Sequence, residues 1–174
     1  MKLTVLGLSG ALMHDASAAL YVDGRLVAAA EEERFTRDKH AKNRMPFNAA
    51  KFCMEFGGVE PGDVDVVAFP FAKVSLLSPA RWHFAKRYWY APERSIDALL
   101  NGNRHFRRNV KRVRGLLDAL GIDWNKIEFD SVEHHIAHAS SAYHLSGFQG
   151  KTAILGIDGK GEYASTFFGY GENG

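Results

Sequence analysis

Cysteine occurs once in the 174 residues, as Cys53, so no intramolecular disulfide can form and nothing points to an oxidising compartment. Its neighbours Phe52 and Phe56 predict a buried thiol and not a nucleophile. Charge of one sign is also scarce: the formal net charge is only +2, too small to imply a polyanionic partner for the chain as a whole. A leader is imitated by Lys2, the apolar stretch Leu3 to Met13 and Ala16-Ser17-Ala18. Gly7 and Gly10 interrupt that stretch and a strand pattern continues through it, so the expectation is a cytoplasmic protein without membrane association. With 46% hydrophobic and 24% charged residues the composition is globular, and disorder is excluded.

Hydropathy patterning predicts strands at Leu3 to Leu8, Ala16 to Val22 and Arg25 to Ala30, the last two joined by an Asp23-Gly24 turn. Pro46 marks a helix start, residues 48–56 are apolar at helical intervals, and Gly57-Gly58 ends the run. Val64 to Phe69 reads as a short strand. Residues 78–121 have helical periodicity with breaks near Pro92 and Gly102 and a stop at Gly121, an inserted or elongated helical element. Ile127 to Val132 returns to strand, and Glu133 to Leu145 is helical. The expected order is β-β-β-α-β-α-β-α, an α/β fold with helices against a mixed sheet.

The basic residues cluster in Arg104 to Arg114. On a helix they surround most of the circumference, leaving Phe106, Val110 and Val113 as a thin apolar stripe; a solvated helix is the expectation, with RNA or phosphate contact as the alternative.

A partial internal repeat follows. Leu6-Gly7-Leu8-Ser9-Gly10 is echoed by Leu155-Gly156-Ile157-Asp158-Gly159, and Ala16 to Tyr21 by Ala164 to Gly169. Both copies read as strand, Gly-containing loop and returning strand, which can hold a phosphate or metal near a helix terminus. The second copy reaches only its first hairpin, so the expectation is the front part of something longer, or a sheet completed by a second copy.

The chemistry concentrates in Glu133-His134-His135-Ile136-Ala137-His138-Ala139-Ser140. His134 and His138 are four apart, so a helix stacks them on one face. Asp158, at the end of an apolar run, can add an oxygen ligand. Two imidazoles and one carboxylate with open positions suit iron, zinc or manganese better than calcium or magnesium. The same spacing also occurs on exposed helices that bind nothing. A zinc peptidase is excluded in another way, because its motif needs Glu directly after the first His and His135 stands there.

Four blocks in order now resemble the O-carbamoyltransferases of the nodulation-factor and antibiotic type, the NodU/CmcH family. They are Leu6 to Leu20 with its His14-Asp15 pair, Glu31 to His40 followed by Pro46, His134 to Ala139, and Asp158-Gly159-Lys160-Gly161-Glu162. Residues 78–121 carry none of the resemblance.

The resemblance implies an actin-like, sugar-kinase-type (ribonuclease H-like) fold of two similar halves. Residues 1–150 would be the first subdomain with a helical insertion at about 78–121, and residues 151–174 the truncated opening hairpin of the second. It implies a divalent metal, usually iron, on His134, His138 and Asp158, with a further Asp from later in the chain. It further implies that carbamoyl phosphate and ATP form carbamoyl-adenylate in a separate domain, whose carbamoyl group then passes to a small-molecule acceptor hydroxyl. The match to the second block points Lys39 and His40 to an anion. His14 is the candidate general base, oriented by Asp15. Gly159 and Gly161 either let a nucleotide approach the backbone or simply turn the chain. Without a second half, this chain alone is expected to be inactive. The competing readings are a tRNA threonylcarbamoyl-type transferase, disfavoured by the His134-to-His138 spacing, and a non-catalytic metal- or nucleotide-binding module; nucleic acid is not the expected partner.

Overall fold

The computed structural model describes residues 3–10, 14–159 and 161–172. Ala11 to Met13 of the first block and Lys160 of the fourth therefore lie outside the described residues. The fold is mixed α/β, as expected, and forms two compact units: residues 1–69 with 107–131, and residues 70–106 with 132–174. Among the described residues, no helix is long and apolar enough to cross a membrane.

The first unit is built on a five-stranded sheet of order β3-β2-β1-β4-β5. Its strands are β1 (Thr4–Ser9), β2 (Ser17–Val22), β3 (Arg25–Glu31), β4 (Val66–Phe69) and β5 (Glu128–Ser131). The first three are antiparallel, and β1/β4 and β4/β5 are parallel. Asp23 (φ 50°) and Gly24 (φ 75°) are both left-handed, the primed turn whose twist suits a tight hairpin. Period-two alternation puts Leu6, Leu8, Ala18, Leu20 and Val67 on one buried face, with Leu6 in register with both Leu20 and Val67.

Helix α2 (Phe47–Gly57) buries Ala49, Ala50, Cys53 and Met54 at helical intervals and ends on left-handed Gly58. The Cys53 thiol is buried by this packing and donates to the Ala18 carbonyl; Phe52 and Phe56 are exposed, so they are not what covers it. Burial pushes the thiol pKa up. Glu31 to Glu33 stand at the end of β3, and one of them is buried. The Glu32 carboxylate is 2% exposed and accepts from Asn48 Nδ2 (2.6 Å) and the Ala49 N–H (2.9 Å), neutralising the donor-rich start of α2. Four-residue helix α1 (Glu33–Thr36) and a 3₁₀ turn at Lys39–Ala41 link β3 to α2.

The stretch expected to be helical is three helices, α3 (Pro79–Arg87), α4 (Pro92–Asn101) and α5 (Arg104–Leu120). On α5 the cations Arg104, Arg107, Arg108, Lys111 and Arg114 are exposed, in line with a solvated helix. The buried positions are Asn109, Val113, Leu116 and Leu117, a stripe shifted from the expected one, because the apolar run continues past the basic segment. In the second unit Arg81 is 1% exposed. Its guanidinium donates to the carbonyls of Ala98 (2.7 Å) and Leu99 (2.6 Å) in the last turn of α4, where the helix dipole favours a cation.

The second unit also contains α6 (His134–Leu145) and the antiparallel hairpin β6 (Thr152–Ile157) with β7 (Thr166–Gly171). The echo seen in sequence extends to register: Leu6 opposes Leu20 in one hairpin, and Leu155 opposes Phe168 in the other. Burial differs between the two copies. Leu6 and Leu20 are 0% exposed, whereas Leu155 and Phe168 are 68% and 84% exposed. The inner face of β6–β7 meets α6, where Gly171 leaves room for the Tyr143 ring.

Candidate metal centre and histidine-carboxylate cluster

Helix α6 presents His134 and His138 one turn apart, as their spacing requires, and the loop after β6 brings Asp158 to them. His134 Nε2 lies 2.7 Å from Asp158 Oδ2 and 3.1 Å from His138 Nε2, and His138 Nε2 is 3.8 Å from the same carboxylate oxygen. All three ligand atoms fall within 4.8 Å of one another. The opposite ring nitrogen, His134 Nδ1, is 3.2 Å from the Pro70 carbonyl oxygen, which can only accept; a proton held there would leave the Nε2 lone pair to a cation between Asp158 and His138. Phe71 stacks on the His134 ring at 4.5 Å between centroids, holding its plane. Two imidazole nitrogens and a carboxylate oxygen converging in this way fit a cation.

Asp158 sits at an electrostatic balance. Burial opposes its ionisation, but the Gly159 N–H at 2.6 Å together with His134 and His138 outweighs that and keeps its carboxyl below the usual carboxylate range. A ligand ionised in this way needs no proton displaced when a cation arrives.

Sequence reasoning did not single out Glu162. Its carboxylate accepts the His134 backbone N–H (3.2 and 3.3 Å to the two oxygens) and the Ala72 N–H (2.8 Å). One side chain thus caps the start of α6 and ties it to the segment carrying Pro70 and Phe71. Its position in the Asp158-to-Glu162 block was the available signal. Gly161 also has a reason internal to the fold: a Cβ there would lie 2.4 Å from His135 Cε1, and His135 is 2% exposed. Gly159 has open space around it, with nothing within 4 Å of an added Cβ.

The first unit holds a second constellation. His14 Nδ1 lies 2.5 Å from Asp15 Oδ2, and His40 Nδ1 lies 2.8 Å from Asp15 Oδ1. The two imidazole donors, His40 first and then His14, hold the Asp15 carboxyl below its ordinary pKa. His14, Asp15, Lys39 and His40 are all exposed. Lys39 lies beside His40 in the 3₁₀ turn.

The family described as "Carbamoyltransferase N-terminus" matches residues 4–174. The chain belongs to that family. Nodulation protein NolNO of Sinorhizobium fredii is 33% identical over 174 aligned residues, which cover 95% of this carbamoyltransferase-family chain and 22% of NolNO. The Synechocystis protein sll1178 is 34% identical over 166 residues, covering 93% of the chain and 26% of that protein. The chain thus spans about a quarter of the length of these relatives. Among solved structures, YeaZ from Pseudomonas aeruginosa aligns with 98% of the chain and 59% of its own, at 16% identity and a TM-score of 0.44, too distant to bear on mechanism. The four-block resemblance to the nodulation-type carbamoyltransferases therefore holds, with family membership extending through residues 78–121, where no block was recognised.

Proposed function

We propose that this chain is the N-terminal part of a metal-dependent O-carbamoyltransferase that moves a carbamoyl group from carbamoyl-adenylate, made from carbamoyl phosphate and ATP, to an acceptor hydroxyl. The family match over residues 4–174 carries this reading, and the convergence of His134, His138 and Asp158 supports its metal dependence. His134, His138 and Asp158 would hold a divalent ion, iron first among the candidates, which when bound supplies Lewis acidity toward carbonyl or phosphate oxygens.

In the transfer, the acceptor oxygen bonds to the carbamoyl carbon, the carbon–oxygen bond to the adenylate phosphate breaks, and AMP leaves with the electron pair. His14 takes the acceptor proton at Nε2. This follows from its contact with Asp15, because a carboxylate only accepts and so retains the His14 proton on Nδ1. Lys39 offsets the phosphate charge, and His40, whose Nδ1 is engaged with Asp15, is the second anion contact beside it. Gly159, with no side chain in the way, lets a nucleotide approach the loop after β6; Gly161 shapes that loop through His135.

Residues 1–150 would form the first half of an actin-like pair, with the helical insertion at about 78–121, and residues 151–174 would open the second. The matching registers of β1–β2 and β6–β7 support that duplication, and the exposed Leu155, Ile157, Phe168 and Tyr170 are the face that the rest of the polypeptide would cover. On this reading the chain by itself does not transfer carbamoyl groups.

The test uses the full-length protein, radiolabelled carbamoyl phosphate, ATP and a small-molecule extract of the source cells. Label should enter an organic acceptor, and elemental analysis should find a metal that His134→Ala and His138→Ala each remove. Metal content unaffected by both substitutions would show the ligand set to be wrong; label that never leaves carbamoyl phosphate would sink the transferase reading.

A further inference from the structure

We infer that His40 is a positioning residue for His14, acting through Asp15. The inference rests on the proposed role of His14 as base and adds how that base is aimed. The two oxygens of the Asp15 carboxylate are divided between two imidazoles, Oδ2 to His14 at 2.5 Å and Oδ1 to His40 at 2.8 Å. A carboxylate bonded on one oxygen alone can rotate about its last side-chain torsion; bonded on both, it has one orientation. Fixing Asp15 in turn fixes which nitrogen of His14 keeps the proton. The His14 and His40 rings are 6.2 Å apart and inclined at 72°, so His40 acts on His14 through the carboxylate and not by stacking.

The backbone is strained in favour of this arrangement. Asp15 (φ 56°) and His40 (φ 65°) both occupy the left-handed region, which non-glycine residues adopt at a cost. Two hydrogen bonds hold them there: the Asp15 N–H donates to the His40 carbonyl at 2.7 Å, and the His40 N–H donates to Glu33 Oε2 at 2.8 Å. Residues 25 positions apart in the chain are thereby locked together at main chain and side chain alike. Strain at both ends of a solvent-exposed contact contributes little to a core, and it does set the direction of an imidazole.

The experiment reads the His14 tautomer directly, by magnetic resonance of the intact protein labelled at the histidine ring nitrogens, at a pH where imidazoles are neutral. The His14 signals are identified by their loss in His14→Gln. In the wild type the proton is on Nδ1. In His40→Ala the ratio of Nδ1–H to Nε2–H forms falls about fivefold, the effect of losing one hydrogen bond. His40→Asn restores it, because the Asn amide reaches the place of Nδ1 and Asn tolerates the left-handed backbone. If His40→Ala does not fold, His40→Gln replaces it, since its donor is displaced outward and the ratio should also fall. An unchanged ratio in His40→Ala or His40→Gln, or a His40→Asn protein no different from His40→Ala, overturns the inference. Carbamoyl transfer that survives His14→Gln is a separate failure: it removes the base assignment while leaving the tautomer ratios as measured.

Discussion

Removing the Glu162 carboxylate should loosen the proposed metal centre without touching any of its three ligands. Glu162→Ala deletes the acceptor for the His134 N–H at the start of α6 and for the Ala72 N–H beside Phe71. The His134 contact is long and shared between two oxygens, so it is worth no more than an ordinary helix cap, roughly 1 kcal/mol. The Ala72 contact is short, part-buried and made to a charged acceptor, and it contributes roughly another 1–2 kcal/mol. A total loss of about 2–3 kcal/mol lowers the melting temperature by about 4–10 °C for a chain of this size. Glu162→Gln keeps one acceptor oxygen without its charge and should fall about halfway. Thermal unfolding followed by circular dichroism gives the first number, and amide hydrogen exchange locates it, with His134 and Ala72 accelerating ahead of the β1–β2 hairpin. A melting temperature within about 1 °C of wild type, with protection at His134 retained, would refute the reasoning.

Two further outcomes follow from the same physics. Gly161→Ala places a methyl against the buried His135 ring and should cost about 1–3 kcal/mol in urea unfolding, whereas Gly159→Ala, two residues earlier in open space, should change stability by less than about 0.5 kcal/mol; equal effects would contradict the packing described. The Asp15 carboxyl, followed by its carbon chemical shift, should titrate below the ordinary value of about 3.9, and His40→Ala should bring it back up. Because the folded pKa is the lower one, the stabilisation from this contact is complete above the unfolded value and is lost as pH falls through the folded one. An Asp15 midpoint indifferent to His40 would rule out the shared carboxylate.

Much of the site was legible because short-range geometry dictates it. The spacing of His134 and His138 places them together on any helix, and Asp158 ends a strand whose echo near the N-terminus marked it as the close of a β-loop-β unit. Pro46, Gly58, Asp23-Gly24, Pro92 and Gly121 punctuate the chain through their own backbone preferences, and the elements begin and end near them. What stayed hidden are polar groups whose partners are distant in sequence. Nothing in the neighbours of Arg81, Glu32 and Glu162 marks their partners, and each meets a helix end from 16 to 28 positions away.

The sequence by itself determined the periodicities, the turns and the family, since these depend on the intrinsic preferences of neighbouring residues and on blocks preserved in order. Only the tertiary structure decided which carboxylate caps which helix, that the Pro70 carbonyl meets His134 Nδ1, and that Asp15 is shared between His14 and His40. Those outcomes depend on distances of about 3 Å between residues far apart in the chain, and such distances exist only once β-strand register and helix packing have brought the backbone together.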